Sequence, residues 1–133
     1  MPPIYQRSIM ASFLYVEDDP ALRSCLKATL DVCGDDVPTE TEIVILETGE
    51  QALHALREKI FCLVLTDHDL GFGPDGVKVA EEALKNGAAR VIINSANPNG
   101  VPQVNGRIEI RSKMTAFEIL DLLREQAPIV RGQ

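Results

Sequence analysis

Phe61-Cys62-Leu63-Val64-Leu65-Thr66-Asp67-His68-Asp69 is the stretch from which the fold of this chain is read. Its unbroken apolar run has the signature of a strand buried on both faces, as in the middle of a parallel sheet. The run stops at two carboxylates, Asp67 and Asp69, and the turn-rich Gly71-Phe72-Gly73-Pro74-Asp75-Gly76 follows. Open α/β sheets bind ligands in the crevice beyond the carboxyl ends of their strands. An acid delivered to that edge is a candidate reaction centre. Asp is also a common turn residue, so a simple cap remains an equal reading of Asp67 at this point.

Outward from this strand, the chain alternates. Residues 1–11 read as a lead-in. Ser12-Phe13-Leu14-Tyr15-Val16 is a short strand running into Glu17-Asp18-Asp19-Pro20, where Asp19 caps a helix that starts on proline. Leu22, Leu26, Leu30 and Cys33 recur at helical spacing, and Gly34 stops the run. After a polar loop, Glu42 to Glu47 is a second strand. Thr48 and Gln51 form a capping box for a helix with Leu53, Leu56 and Ile60 inward.

Beyond the central strand, Asp75 caps a third helix to about Lys85, with Val77, Ala80 and Leu84 inward and Asn86-Gly87 as its stop. Arg90 to Asn94 is a fourth strand, followed by Ser95-Ala96. Arg107 to Arg111 alternates charge with isoleucine, as an edge strand with one wet face should. Thr115 and Glu118 box a last helix carrying Ile119, Leu120, Leu123 and Ala127, stopped by Pro128. Leu122 lies off that stripe; it widens the core face or, as the lesser reading, contacts a second copy of the chain or another partner. The expected organisation is a lead-in over 1–11, one domain over 12–128 and a tail over 129–133.

Such alternation predicts a doubly wound parallel sheet with helices on both faces. The first and third strands then lie side by side where the winding reverses. That brings Glu17, Asp18 and Asp67 together. Three close carboxylates repel one another, so a proton or a cation must sit among them. Hard oxygen donors without a histidine or cysteine partner favour Mg²⁺ or Mn²⁺ over zinc. Ser95, ending the fourth strand, adds a hydroxyl, and Lys113, ending the fifth, adds an ammonium. An acid nucleophile, a metal, a hydroxyl and a cation are the parts for phosphoryl transfer to a carboxylate. Singly, each residue is as well explained as a cap, a turn residue or an exposed lysine; together on one edge they are not.

Composition narrows the field. A chain of 133 residues with 45% hydrophobic content suits one domain with a real core. A net charge of −7 argues against nucleic acid or an anionic membrane as partner, because both require clustered Lys and Arg. Three cysteines, Cys25, Cys33 and Cys62, show no paired metal-ligand spacing and fit a reducing compartment. No apolar run is long enough for a signal peptide or a membrane span, so the expectation is a soluble, cytoplasmic protein.

Val16-Glu17-Asp18-Asp19-Pro20, Leu63-Val64-Leu65-Thr66-Asp67, Asp75-Gly76, Val91-Ile92-Ile93-Asn94-Ser95-Ala96 and Ser112-Lys113 resemble the CheY-like receiver domain of two-component response regulators. The resemblance spans about Phe13 to Ala127. It implies a flavodoxin-like five-stranded sheet in the order 2-1-3-4-5 and a phosphoaccepting aspartate. By position Asp67 matches the phosphoacceptor, and Glu17 and Asp18 match the acidic pair that holds Mg²⁺ with Asp67. Asp69 matches the position that offers its backbone carbonyl to the metal. Ser95 matches the switch hydroxyl and Lys113 the phosphate-contacting lysine.

Three departures stand out. Ile110 occupies the place of the usual aromatic switch residue, three before the lysine. Met114 follows the lysine where the family carries a cis-proline. A non-proline cis bond costs about 3–4 kcal/mol, so Lys113–Met114 is expected to be trans, with Lys113 displaced. The segment 97–106 holds two prolines and two glycines and is expected to be mostly loop, its helix lost or reduced to a turn. Phosphorylation is then expected to reorder that loop instead of rotating a ring. His68 is expected to be neutral and to face solvent or, as the lesser reading, to face the entrance to the site.

With the chain ending at Gln133, the first reading is a stand-alone receiver that takes its phosphoryl group from a histidine kinase or histidine phosphotransfer protein. It would signal by protein contact, with no turnover beyond its own phosphorylation and dephosphorylation. A second is a receiver-like binding module that works without phosphorylation. A third is a phosphohydrolase of the haloacid dehalogenase type, which Asp67-His68-Asp69 also resembles. That family puts its nucleophile on the first strand and its metal-binding acids last, whereas here Glu17 and Asp18 come first.

Overall fold

The computed structural model describes residues 12–37 and 40–126. Five parallel strands, β1 (Ser12–Val16), β2 (Glu42–Leu46), β3 (Leu63–Asp67), β4 (Arg90–Ser95) and β5 (Ile108–Ser112), pair in the order β2-β1-β3-β4-β5. Four helices connect or follow them: α1 (Pro20–Cys33), α2 (Gly49–Glu58), α3 (Gly76–Lys85) and α4 (Ala116–Gln126). The doubly wound sheet and its strand order are those expected. No described helix is long and apolar enough to cross a membrane.

Alternation along the strands sorts side chains to two cores. Leu14, Val16, Val64, Val91 and Ile93 pack with Ala52 and Leu56 of α2 and Val79, Ala80 and Ala83 of α3. Phe13, Tyr15, Leu63, Leu65 and Ile92 pack with Leu26 of α1 and Ile119, Leu122 and Leu123 of α4. Leu122 therefore belongs to a widened core face. Both predicted capping boxes form: Thr48 with Gln51, and Thr115 with Glu118.

The inward stripes of three helices shift from those expected. Leu22 is exposed on α1, and Ile60 lies beyond the end of α2, exposed. On α3, Val79 and Ala83 are buried, while Val77 and Leu84 are only half-buried. Against a flat two-faced sheet, small residues let a helix approach closely, so alanines take the central positions and larger side chains flank them. β3 begins at Leu63, with Phe61 in the core as part of the preceding loop. The lead-in over 1–11, Ala127, Pro128 and the tail over 129–133 lie outside the described residues.

The fourth crossover holds only a single 3₁₀ turn, Pro98–Gly100, and no α-helix. Val101 and Val104, half-buried, pack against the core where a helix would otherwise sit. Interior prolines and glycines disfavour a helix here.

Candidate functional site

The register of the sheet assembles the site as a staircase. Val16 lies opposite Thr66, so Glu17, next in sequence, comes level with Asp67. Asp67 lies opposite Asn94, with Ser95 one step beyond; Ser95 lies opposite Ser112, so Lys113 follows one step further. Glu17, Asp18, Asp67, Ser95 and Lys113, far apart in sequence, thus line one cleft of about 470 Å³, with Asp19, Leu22, His68, Asp69, Ala96 and Asn97.

Lys113 is not displaced. Its Nζ donates to Glu17 Oε1 at 2.8 Å and lies 2.9 Å from Asp67 Oδ1. No described peptide bond is cis, so Lys113–Met114 is trans as expected, yet the lysine still reaches the acids. The Met114 N–H, which a proline would lack, donates to Asn94 Oδ1 at 2.8 Å and fastens the turn that carries Lys113. Burial alone would lower the Lys113 ammonium; its hydrogen bonds to Glu17 and Asp67 and their charges outweigh that and hold it above the ordinary lysine range.

Glu17 is the most deeply placed acid, 1% exposed. Its carboxylate accepts from the Tyr15 hydroxyl at 3.4 Å, the Asp19 N–H at 3.2 Å and Lys113. Its carbonyl accepts from Arg23 Nη1 at 2.7 Å. Burial, then the charge of Glu17, pushes the Tyr15 hydroxyl well above its usual range, so it stays a donor. Asp67 is also buried, and its Oδ1 accepts from the His68 N–H at 2.9 Å. A Cβ on Gly76 would lie 1.9 Å from the Asp67 carbonyl oxygen; glycine there lets α3 start directly against the acceptor strand.

Asp69 is exposed, and its side chain accepts from the Gly71 N–H at 3.0 Å, closing a turn that Gly71 completes at φ 75°. Ser95 Oγ accepts from the Asn97 N–H at 3.0 Å. His68 is half-buried in the wall of the cleft, the lesser of its two sequence readings, rather than standing free in solvent.

Carboxylate oxygens of Glu17, Asp18 and Asp67 lie within 4.8 Å of one another. Burial and the neighbouring charge of Glu17 raise the Asp18 carboxyl above the usual range. One ammonium against this cluster leaves excess negative charge. Hard oxygen donors, close spacing and one partly exposed acid fit a Mg²⁺-like cation that keeps some of its waters.

Asn94, Tyr15 and Arg23 were not foreseen as site residues. Asn94 had a legible signal, a lone amide ending the apolar run Val91-Ile92-Ile93. Tyr15 and Arg23 had none, because their partners are set by strand alternation and helix phase.

A family model described as the cyclic-phosphate processing receiver domain matches residues 13–110. No curated protein matches the chain. Among solved structures, the receiver domain of the hybrid histidine kinase CckA is 22% identical, with 88% of this chain and 99% of that one covered at a TM-score of 0.65. The receiver domain of sensor histidine kinase PA1611 from Pseudomonas aeruginosa, with magnesium in its active-site cleft, is 19% identical over 88% and 97% at 0.64. A CheY-like receiver domain from Methylobacillus flagellatus is 16% identical over 88% and 98% at 0.65. At these identities the structures speak to the fold.

Proposed function

This chain belongs to the cyclic-phosphate processing receiver domain family, and from that premise we propose that it accepts a phosphoryl group on Asp67 and signals by protein contact. The chain is a receiver domain of the response-regulator type, and membership of that family supports a phosphoacceptor role in two-component signalling. The observation behind the assignment to Asp67 is its contact set: a buried carboxylate, paired with Lys113 and within reach of two further acids.

Lys113 and the His68 N–H both engage Asp67 Oδ1. Oδ2 is then the atom left to attack phosphorus. The Asp67 O–P bond forms, the donor's P–N bond breaks, and the proton needed by the departing imidazole comes from solvent. The donor would be a histidine kinase or histidine phosphotransfer protein. Lys113 Nζ is placed to follow the charge from carboxylate to phosphoryl oxygens. Glu17, Asp18, Asp67 and the Asp69 carbonyl would hold Mg²⁺ or Mn²⁺, which when bound neutralises phosphoryl oxygens. Ser95 would donate its hydroxyl to the phosphoryl group after leaving the Asn97 N–H.

Incubation with acetyl phosphate and Mg²⁺, followed by intact mass, tests this reading. One added phosphoryl group is expected, absent from Asp67→Asn. A wild-type chain that stays unmodified at neutral pH would return the function to a receiver-like binding module.

One observation favours a second reading, in which the same cleft opens a cyclic phosphodiester, as the family's description suggests. His68 stands in the wall of the cleft beside Asp67, where a second polar group to hold the ester would be needed. Water would add to phosphorus, one ring P–O bond would break, Asp67 would take the water's proton and the departing alkoxide would take one from solvent, with His68 placed to hydrogen-bond the ester. Phosphorus NMR with a nucleoside cyclic phosphate separates the two. Many turnovers per chain to a monoester support this reading; an untouched cyclic ester ends it.

A further inference from the structure

Asn94 is fully buried in β4, directly after the apolar run Val91-Ile92-Ile93, and its Nδ2 has no hydrogen-bond partner among the described residues. An amide held there needs a compensating contact. The contact is with the other half of the group: Oδ1 accepts from the Met114 N–H, twenty residues on and directly after Lys113. The next amide is captured too, Thr115 N–H by Glu118 Oε1 at 2.8 Å. Two consecutive backbone donors between β5 and α4 are therefore tied to side chains.

We propose that Asn94 is a positioning residue for Lys113: by holding the Met114 N–H it sets the backbone from which Nζ reaches Asp67 and Glu17. A lysine stem has several rotatable bonds, and its amine alone does not define where its Cα sits. Asn94 lies opposite Asp67 in the β3–β4 register, and the His68 N–H donates to the Asn94 carbonyl oxygen at 3.1 Å. The same residue thus ties the backbone after the acceptor to the backbone after the lysine. Asn94 does not touch the phosphoryl position; it acts through Lys113. The proposal rests on the phosphoacceptor reading for its consequence, not for its geometry.

Asn94→Leu keeps the branched outline of the side chain, in a bulkier form, and removes the acceptor. Amide hydrogen exchange of Met114 is expected to accelerate at least tenfold on the order of a lost protecting bond. Phosphorylation by acetyl phosphate is expected to slow about tenfold, the equivalent of one modest hydrogen bond. In a Lys113→Ala background the same substitution should change the rate less than about twofold, because coupled residues are non-additive. A general packing defect would slow both backgrounds equally, and that result overturns the proposal. Unchanged Met114 exchange overturns it as well. Should Asn94→Leu fail to fold, Asn94→Ser, too short to reach Met114, carries the same expectations. If the wild-type chain takes no phosphoryl group, the functional reading falls alone. A crystal structure of the variant then decides the inference, which is overturned if Lys113 Nζ still reaches Asp67.

Discussion

Two loops leave the same edge of the sheet and are built in opposite ways. Residues 68–75 are stitched down: Asp69 closes a turn, Asp75 Oδ1 caps α3 through the Lys78 N–H, and Gly76 packs onto the Asp67 carbonyl. Residues 97–107 hold one 3₁₀ turn and touch the core mainly through two valines. The chemistry stands on the first and on the strand register beneath it. The second has lost a helix, and the site beside it is still assembled. Placement of the acids depends on backbone pairing, which tolerates a degenerate crossover. The aromatic switch does not survive in the same way, because Ile110 cannot provide it.

Four substitutions can break that contrast. Lys113→Ala is expected to have the largest effect, since it leaves buried Glu17 without its cation. Removing one partner of a buried pair costs roughly 3–5 kcal/mol. The lower end applies here because the Lys113 side chain is 30% exposed. Urea denaturation in chelator reads the loss, and added Mg²⁺ should restore part of it. Gly76→Ala comes next: its Cβ cannot coexist with the Asp67 carbonyl, and overpacking costs about 1–3 kcal/mol. A wild-type melting temperature would show that the first loop is not pinned as described.

Asp18→Asn should act in the other direction, stabilising the metal-free chain by roughly 0.5–2 kcal/mol while abolishing its Mg²⁺-dependent gain. The sign follows from the raised Asp18 carboxyl: the folded chain holds that proton more tightly than the unfolded one. Ionised Asp18 therefore opposes folding at neutral pH, and the opposition fades as pH falls through its folded value. The melting-temperature gap between wild type and Asp18→Asn, measured in chelator, should narrow on acidification; a constant gap would contradict the assignment. Gly106→Ala is the smallest, within about 0.5 kcal/mol, because nothing lies within 4 Å of the new Cβ. A large loss there would mean the second loop is as tightly built as the first.

Much of this was legible residue by residue. The apolar run into Asp67, the two capping boxes and the proline-broken crossover each carry a local signature, and local signatures survive folding because neighbours in sequence remain neighbours in space. The helix stripes were less legible. Ala52 and Ala83 carry no strong hydrophobic signal, but a helix lying on a sheet selects small residues by distance. The expected displacement of Lys113 failed for a related reason. Losing proline after the lysine predicts a different turn; it does not reveal that an asparagine near the end of the neighbouring strand receives the freed N–H.

The alternation of strands and helices, the acids at the strand ends and the lost helix thus follow from pattern and turn chemistry, which act over a few residues. The full strand order was implied by the resemblance to receiver domains. The reach of Lys113, the burial of Glu17 under Tyr15 and the Asn94–Met114 bond depend on register between strands distant in the chain. Register is a property of the assembled sheet, set by how two packed faces fit at once, and no single stretch of sequence contains it.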